Sequence, residues 1–115
     1  MAYSEELAQR IRAVIGGREG VSERKMFGGV GWMVNGNMAC GTMGDNLLVR
    51  LDRDDSDRIL AEPHVQLMQM GARTMRGFFT VDSAAIADDT ELARWIDAGA
   101  AYAASLAFKQ PSPSA

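Results

Sequence analysis

The sequence predicts an α+β domain in which helices pack on one face of an antiparallel sheet. Three observations predict it. A helical stripe opens the chain and a longer one closes it. Between them, apolar and polar residues alternate with the two-residue period of strands. Asn35-Gly36, a strong hairpin signal, joins two of those alternating runs. The expected architecture is a meander of 3–4 strands plus 1–2 further strands, flanked by an N-terminal helix, a short middle helix and a long C-terminal helix. One domain is expected over residues 1–108, with 109–115 a flexible tail, because QPSPSA holds two prolines among small polar residues.

Each element has its own justification. Ser4 is placed to cap a first helix, with Glu5 and Glu6 at the positive end of its dipole. Leu7, Ile11, Val14 and Ile15 fall on one stripe, and Gly16-Gly17 ends it. Val21–Phe27 reads as a strand. Val30, Trp32 and Val34 alternate with Gly31, Met33 and Asn35. On the return strand Met38, Cys40 and Thr42 alternate with Ala39, Gly41 and Met43. Gly44-Asp45-Asn46 makes the next turn. Leu47, Val49 and Leu51 then share one face, and Leu48 and Arg50 the other. Asp52–Ala61 reads as a short helix stopped by Glu62-Pro63. Val65–Met70 and Met75–Val81 are further strands, split near Gly71. Asp89 is the expected cap of the last helix, whose stripe is Leu92, Trp95, Ile96, Gly99, Ala103 and Leu106.

Composition narrows the function classes. The chain has 115 residues, 47% hydrophobic and 23% charged, with net charge −3, which suits one folded domain rather than disorder. The acidic balance argues against direct nucleic-acid binding. A single cysteine excludes an intrachain disulfide framework and suits a reducing cytoplasm. MAYSEEL has neither the basic nor the apolar region of a signal peptide. The longest charge-free run, Ala98–Phe108, is too short and alanine-rich to span a bilayer, so no membrane association is expected. Two readings of that run stay open: a homodimer contact through the C-terminal helix, or alanine's helix propensity with exposure tolerated.

No catalytic, cofactor-binding or metal-binding residue is assigned from the sequence. His64 is the sole histidine and follows Pro63 in a loop, with no second His or Cys near it to build a metal site. Asp52, Asp54, Asp55 and Asp57 lack the glycine and terminal glutamate of a calcium loop. Cys40 sits mid-strand without an activating base. Gly28-Gly29-Val30-Gly31 lies between strands rather than opening a helix, which suits a bend or close approach better than a phosphate cradle. The eight methionines invite core filling, but strand alternation cannot send all of them inward, so some could line an adaptable partner surface. Arg24, Lys25, Arg50, Arg73 and Arg76 all fall in or beside expected strands, a candidate anion- or partner-binding set.

The run Arg24-Lys25-Met26-Phe27-Gly28-Gly29-Val30-Gly31, the Asn35-Gly36 hairpin, and Leu47-Leu48-Val49-Arg50-Leu51-Asp52 together resemble the N-terminal domain of the TfoX/Sxy family. Arg73-Thr74-Met75-Arg76-Gly77-Phe78 with Val81-Asp82, and Glu91-Leu92-Ala93-Arg94-Trp95, look like later segments of standalone members. The structural motif carrying the resemblance is Met26, Phe27, Gly28 and Gly29. Ala72 departs from the glycine usual before the arginine of the second segment. The resemblance implies an α+β fold, no catalytic residues, and a role in regulating bacterial competence. Full-length members are coactivators with the cyclic-AMP receptor protein, so a transcription-related protein partner is implied. A chain ending at Ala115 is expected to be a standalone N-terminal-type domain without the family's second domain. The leading expectation is a non-catalytic regulatory interaction module. The alternative is a small anionic-ligand binder or enzyme using an Arg-lined sheet face, with Trp32, Phe78 and Phe79 as walls.

Overall fold

A computed structural model of the protein describes residues 4–26 and 28–107. Phe27, Phe108 and the tail 109–115 lie outside the described residues. Ser4 caps α1 (Glu5–Ile15) by accepting a hydrogen bond from the Leu7 N–H at 3.1 Å. The strands are β1 (Val21–Met26), β2 (Gly29–Val34), β3 (Asn37–Met43), β4 (Asn46–Arg50), β5 (Val65–Met70) and β6 (Arg73–Val81). Between β4 and β5 a 3-10 turn, Arg53–Asp55, runs into α2 (Ser56–Leu60). The chain then closes with α3 (Asp89–Ser105).

All six strands form one antiparallel sheet in the order β1-β2-β3-β4-β6-β5. Asn35 and Gly36 both take positive φ, +52° and +83°, as the tight turn between β2 and β3 requires. The sheet is bent in two places. Ala39 is an extra residue in β3, because Trp32 faces Cys40 while Met33 faces Met38. In β6, Met75 faces Met68 and Phe79 faces Leu67, so Arg76-Gly77-Phe78 bulge out between them. Gly77 supplies φ +85° there, and its carbonyl accepts from the Leu51 N–H at 2.9 Å.

The last helix is capped by Asp88, not Asp89. Only Asp88 has the extended backbone of a cap, and its carboxylate accepts from the Thr90 N–H at 2.7 Å. Asp89 lies one residue inside the helix and instead pairs with Arg10 of α1 at 2.9 Å. β6 starts two residues before the expected Met75. A 3-10 turn at Ser83–Ile86, capped by Asp82, has no apolar period long enough to be legible beforehand.

α1 and α3 pack on the same face. Their buried Leu7, Ile11, Ile15, Leu92, Trp95, Ile96 and Ala103 form one core with Trp32, Val49, Phe79 and Val81 of the sheet. Gly99 sets how near α3 can come. A Cβ there would collide with the Ala39 carbonyl oxygen and lie 2.8 Å from Val49 Cγ2. In the charge-free run of α3, the exposed positions are the small Ala98, Ala101, Ala104 and Ser105, while Tyr102 is half-buried. Among the described residues no helix is long and apolar enough to cross a membrane.

Gly99→Ala should therefore lower unfolding stability by about 1–3 kcal/mol, since the backbone carbonyl it meets cannot rotate away. Gly17→Ala is the control, because a Cβ at that site meets nothing within 4 Å. Urea denaturation of the two variants checks the contrast.

Candidate docking face

Among the described residues the sheet's second face carries no helix. Its apolar cluster consists of Met33, Met38, Leu48 and Met68, all buried, with Met26, Met43, Met70, Met75 and Phe78 half-buried around them. Every member belongs to a strand. Seven of the chain's eight methionines are here, and the eighth, Met1, lies outside the described residues. The cross-strand pairs Met33–Met38 and Met68–Met75 form the two bent regions of the sheet. Long, unbranched thioethers can fill the uneven space that such bends leave. Glycines pave the centre. Gly31 faces Gly41 across β2 and β3, and a Cβ on Gly31 would sit 2.7 Å from Met26 Sδ and 3.5 Å from Met33 Cε. A Cβ on Gly41 would sit 2.7 Å from the Val30 carbonyl oxygen and 3.3 Å from Met38 Cε. The missing side chains are thus the room into which these methionines fold.

The motif Met26-Phe27-Gly28-Gly29 enters this face. Gly28 turns the chain with φ +74°. Gly29 lies against Thr42, whose hydroxyl accepts from the Val30 N–H at 2.9 Å and whose carbonyl would stand 2.9 Å from a Cβ on Gly29. Met26 is the clustered methionine. Phe27 is outside the described residues.

The five strand cations divide. Arg24 shares Met26's side of β1 by alternation, and Arg73 lies opposite Met70 at the β5–β6 tip. Arg50 lies opposite Phe78, and its guanidinium stands over the Phe78 ring at 5.5 Å and the Tyr102 ring at 5.8 Å. These three border the methionine face. Lys25 points to the helical side, opposite Val30. Arg76 lines a cleft of about 400 Å³ with Arg53, Asp54, Asp57 and Leu60. Arg24 and Arg73 belong to the outer part of the sheet at opposite sides, so they do not converge on one small anion.

Charge is segregated by layer. The described ion pairs use Arg10, Arg12, Arg18, Arg58 and Arg94, none of them on a strand. Glu23 is the one carboxylate on any described strand, and it is turned toward Arg12 of α1. Arg12 donates two hydrogen bonds to it, at 2.8 and 2.7 Å, and holds its carboxyl below the usual range against the opposing effect of burial. The Trp32 indole N–H adds to that lowering but makes no hydrogen bond of normal geometry. It is the one buried polar side-chain atom among the described residues left without one.

The remaining candidates sit apart from the methionine face. Cys40 is fully buried on the helical side, and desolvation pushes its thiol up to about 12 despite the pull of Arg18. His64 is exposed in the loop before β5, with φ +68°. Among the described residues no three His, Cys, Asp or Glu side chains are grouped to hold a metal ion. The methionine cluster itself is what sequence reasoning saw only in part: the alternation was visible, but the bends that put all seven side chains on one side were not.

Cys40 should resist thiol reagents in the folded protein at pH 8 and react only under denaturant. Mass spectrometry after maleimide treatment, with and without urea, checks this. The Arg12–Glu23 pair should contribute at most about 1 kcal/mol, because both side chains are well exposed. A lowered carboxyl means that this contribution is present above the ordinary glutamate range and is lost as pH falls through the lowered value. Stability curves for Glu23→Gln should therefore converge with the parent only in acid.

A search of the curated proteins and a search of the solved structures each find no match. The family model of the TfoX N-terminal domain matches residues 14–103, which hold the whole described sheet and nearly all of α3 but only the last two residues of α1. By that match, the chain belongs to the TfoX N-terminal domain family.

Proposed function

We propose that this domain is a non-catalytic docking module that regulates transcription through a protein partner. The observation that carries the reading is the helix-free sheet face, with five half-buried apolar side chains set around a buried methionine centre. Adaptable thioether surfaces suit partners whose shapes vary. Family membership points to a competence-regulator-like module, which supports a regulatory rather than a metabolic role. The spread of Arg24, Arg50 and Arg73 around the face suits an extended macromolecular surface better than a small anionic ligand.

Photo-methionine incorporated in the native host is the direct test. A regulatory protein should crosslink to the outer methionines. Met43→Glu with Met70→Glu should lower its capture at least tenfold while the circular dichroism spectrum is kept. Capture indifferent to those changes, or substrate turnover lost with Cys40→Ser or His64→Ala, would remove the reading.

A further inference from the structure

Resting on that docking role, we propose the chemistry of the partner: an acidic amphipathic segment that lays its apolar side chains on the methionine face and its carboxylates on Arg24, Arg50 and Arg73. The face supplies the complement on both counts. Its centre and inner ring are apolar, from Met26, Met43, Met70, Met75 and Phe78. Its border is cationic, and none of Arg24, Arg50 and Arg73 is engaged by a carboxylate among the described residues. No Asp or Glu of a described strand shares that side of the sheet, since Glu23, the one carboxylate on those strands, faces α1. An acidic protein that keeps one face free of acids has a surface potential opposite to its net charge, which selects anionic partners and repels a second copy of the same face.

Size and chemistry separate the anionic classes. Arg24 on β1 and Arg73 on β6 lie four strand spacings of about 4.8 Å apart, about 19 Å, so one small anion cannot span them. A helix of about 16 residues, about 24 Å long, covers that distance. Single-stranded nucleic acid would need aromatic platforms for its bases. Among the described residues Phe78 is the one aromatic residue in the cluster, and Arg50 already covers it. Docking the acidic helical layer of a second copy onto the face would be a heterologous contact, which builds a ring or an open filament rather than a two-fold dimer.

The test uses the full chain with ¹³C-labelled methionine methyl groups. It is titrated with three synthetic 16-residue peptides: an acidic amphipathic helix, the same apolar stripe with Lys and Arg replacing the acids, and an acidic scramble without a stripe. The acidic amphipathic peptide should shift the methyls of Met26, Met43, Met70 and Met75 more than those of buried Met33, Met38 and Met68. Its affinity should fall as salt rises, and Arg24→Glu with Arg73→Glu should weaken it at least tenfold. Both side chains are exposed and neither is in an ion pair among the described residues, so the fold is expected to survive. Equal binding of the basic peptide would overturn the acidic class while leaving docking intact. So would binding that the arginine reversals do not change. Methyl shifts produced by a short oligonucleotide but by no peptide, or self-association in sedimentation that Met43→Glu abolishes, would replace the proposed partner with nucleic acid or a second copy. Silence with all three peptides would sink the proposal, whereas the crosslinking experiment judges docking itself.

Discussion

The close approach of α3 to β3 at Gly99 governs the rest of the molecule. With no side chain at that point, the helix can settle against the Ala39 carbonyl and Val49, and Trp95, Ile96 and Ala103 can reach the sheet. α1 joins it on the same face through Arg10–Asp89, and the loop after α1 through Arg18–Asp97. Both long helices are thereby committed to one side. The opposite side has to be finished with what the strands themselves carry, and methionine is the residue the chain uses for it. Removing apolar surface from water is favourable on either face, but only the helical face does it with a second layer of structure.

Much of the scaffold was legible from local chemistry. The first helix announced itself through Ser4 and an unbroken stripe, and the β2–β3 hairpin through Asn35-Gly36, because those signals act within a few residues. The error at the last helix has a local cause as well. Asp88 and Asp89 are chemically the same cap, and only the backbone conformation decides between them. The turn at Ser83–Ile86 is too short to show a period.

The docking face was harder to foresee because it depends on irregularity. A strict alternation rule splits the methionines between sides, whereas the extra residue at Ala39 and the bulge at Arg76-Gly77-Phe78 reset the alternation. The cation set shows the same limit. Five basic residues near strands were visible, but parity and the β6 bulge send Lys25 and Arg76 to the helical side and leave three on the other. A glycine run between strands predicts bends or close approaches, and Gly28 and Gly29 do each in turn. Their further task at Gly31 and Gly41, leaving space for thioethers, involves side chains from neighbouring strands and has no local signature.

The position of α3 in the chain has a consequence for biosynthesis. All six strands precede it, so they leave the ribosome while the surface bearing Trp32, Val49 and Phe79 still lacks its lid. During that interval the nascent sheet is apolar on both sides, a state open to misassociation. The α1 helix, already emerged, can shield only part of it. Completion of the last helix is then the event that converts a sticky intermediate into a domain with a single exposed apolar surface.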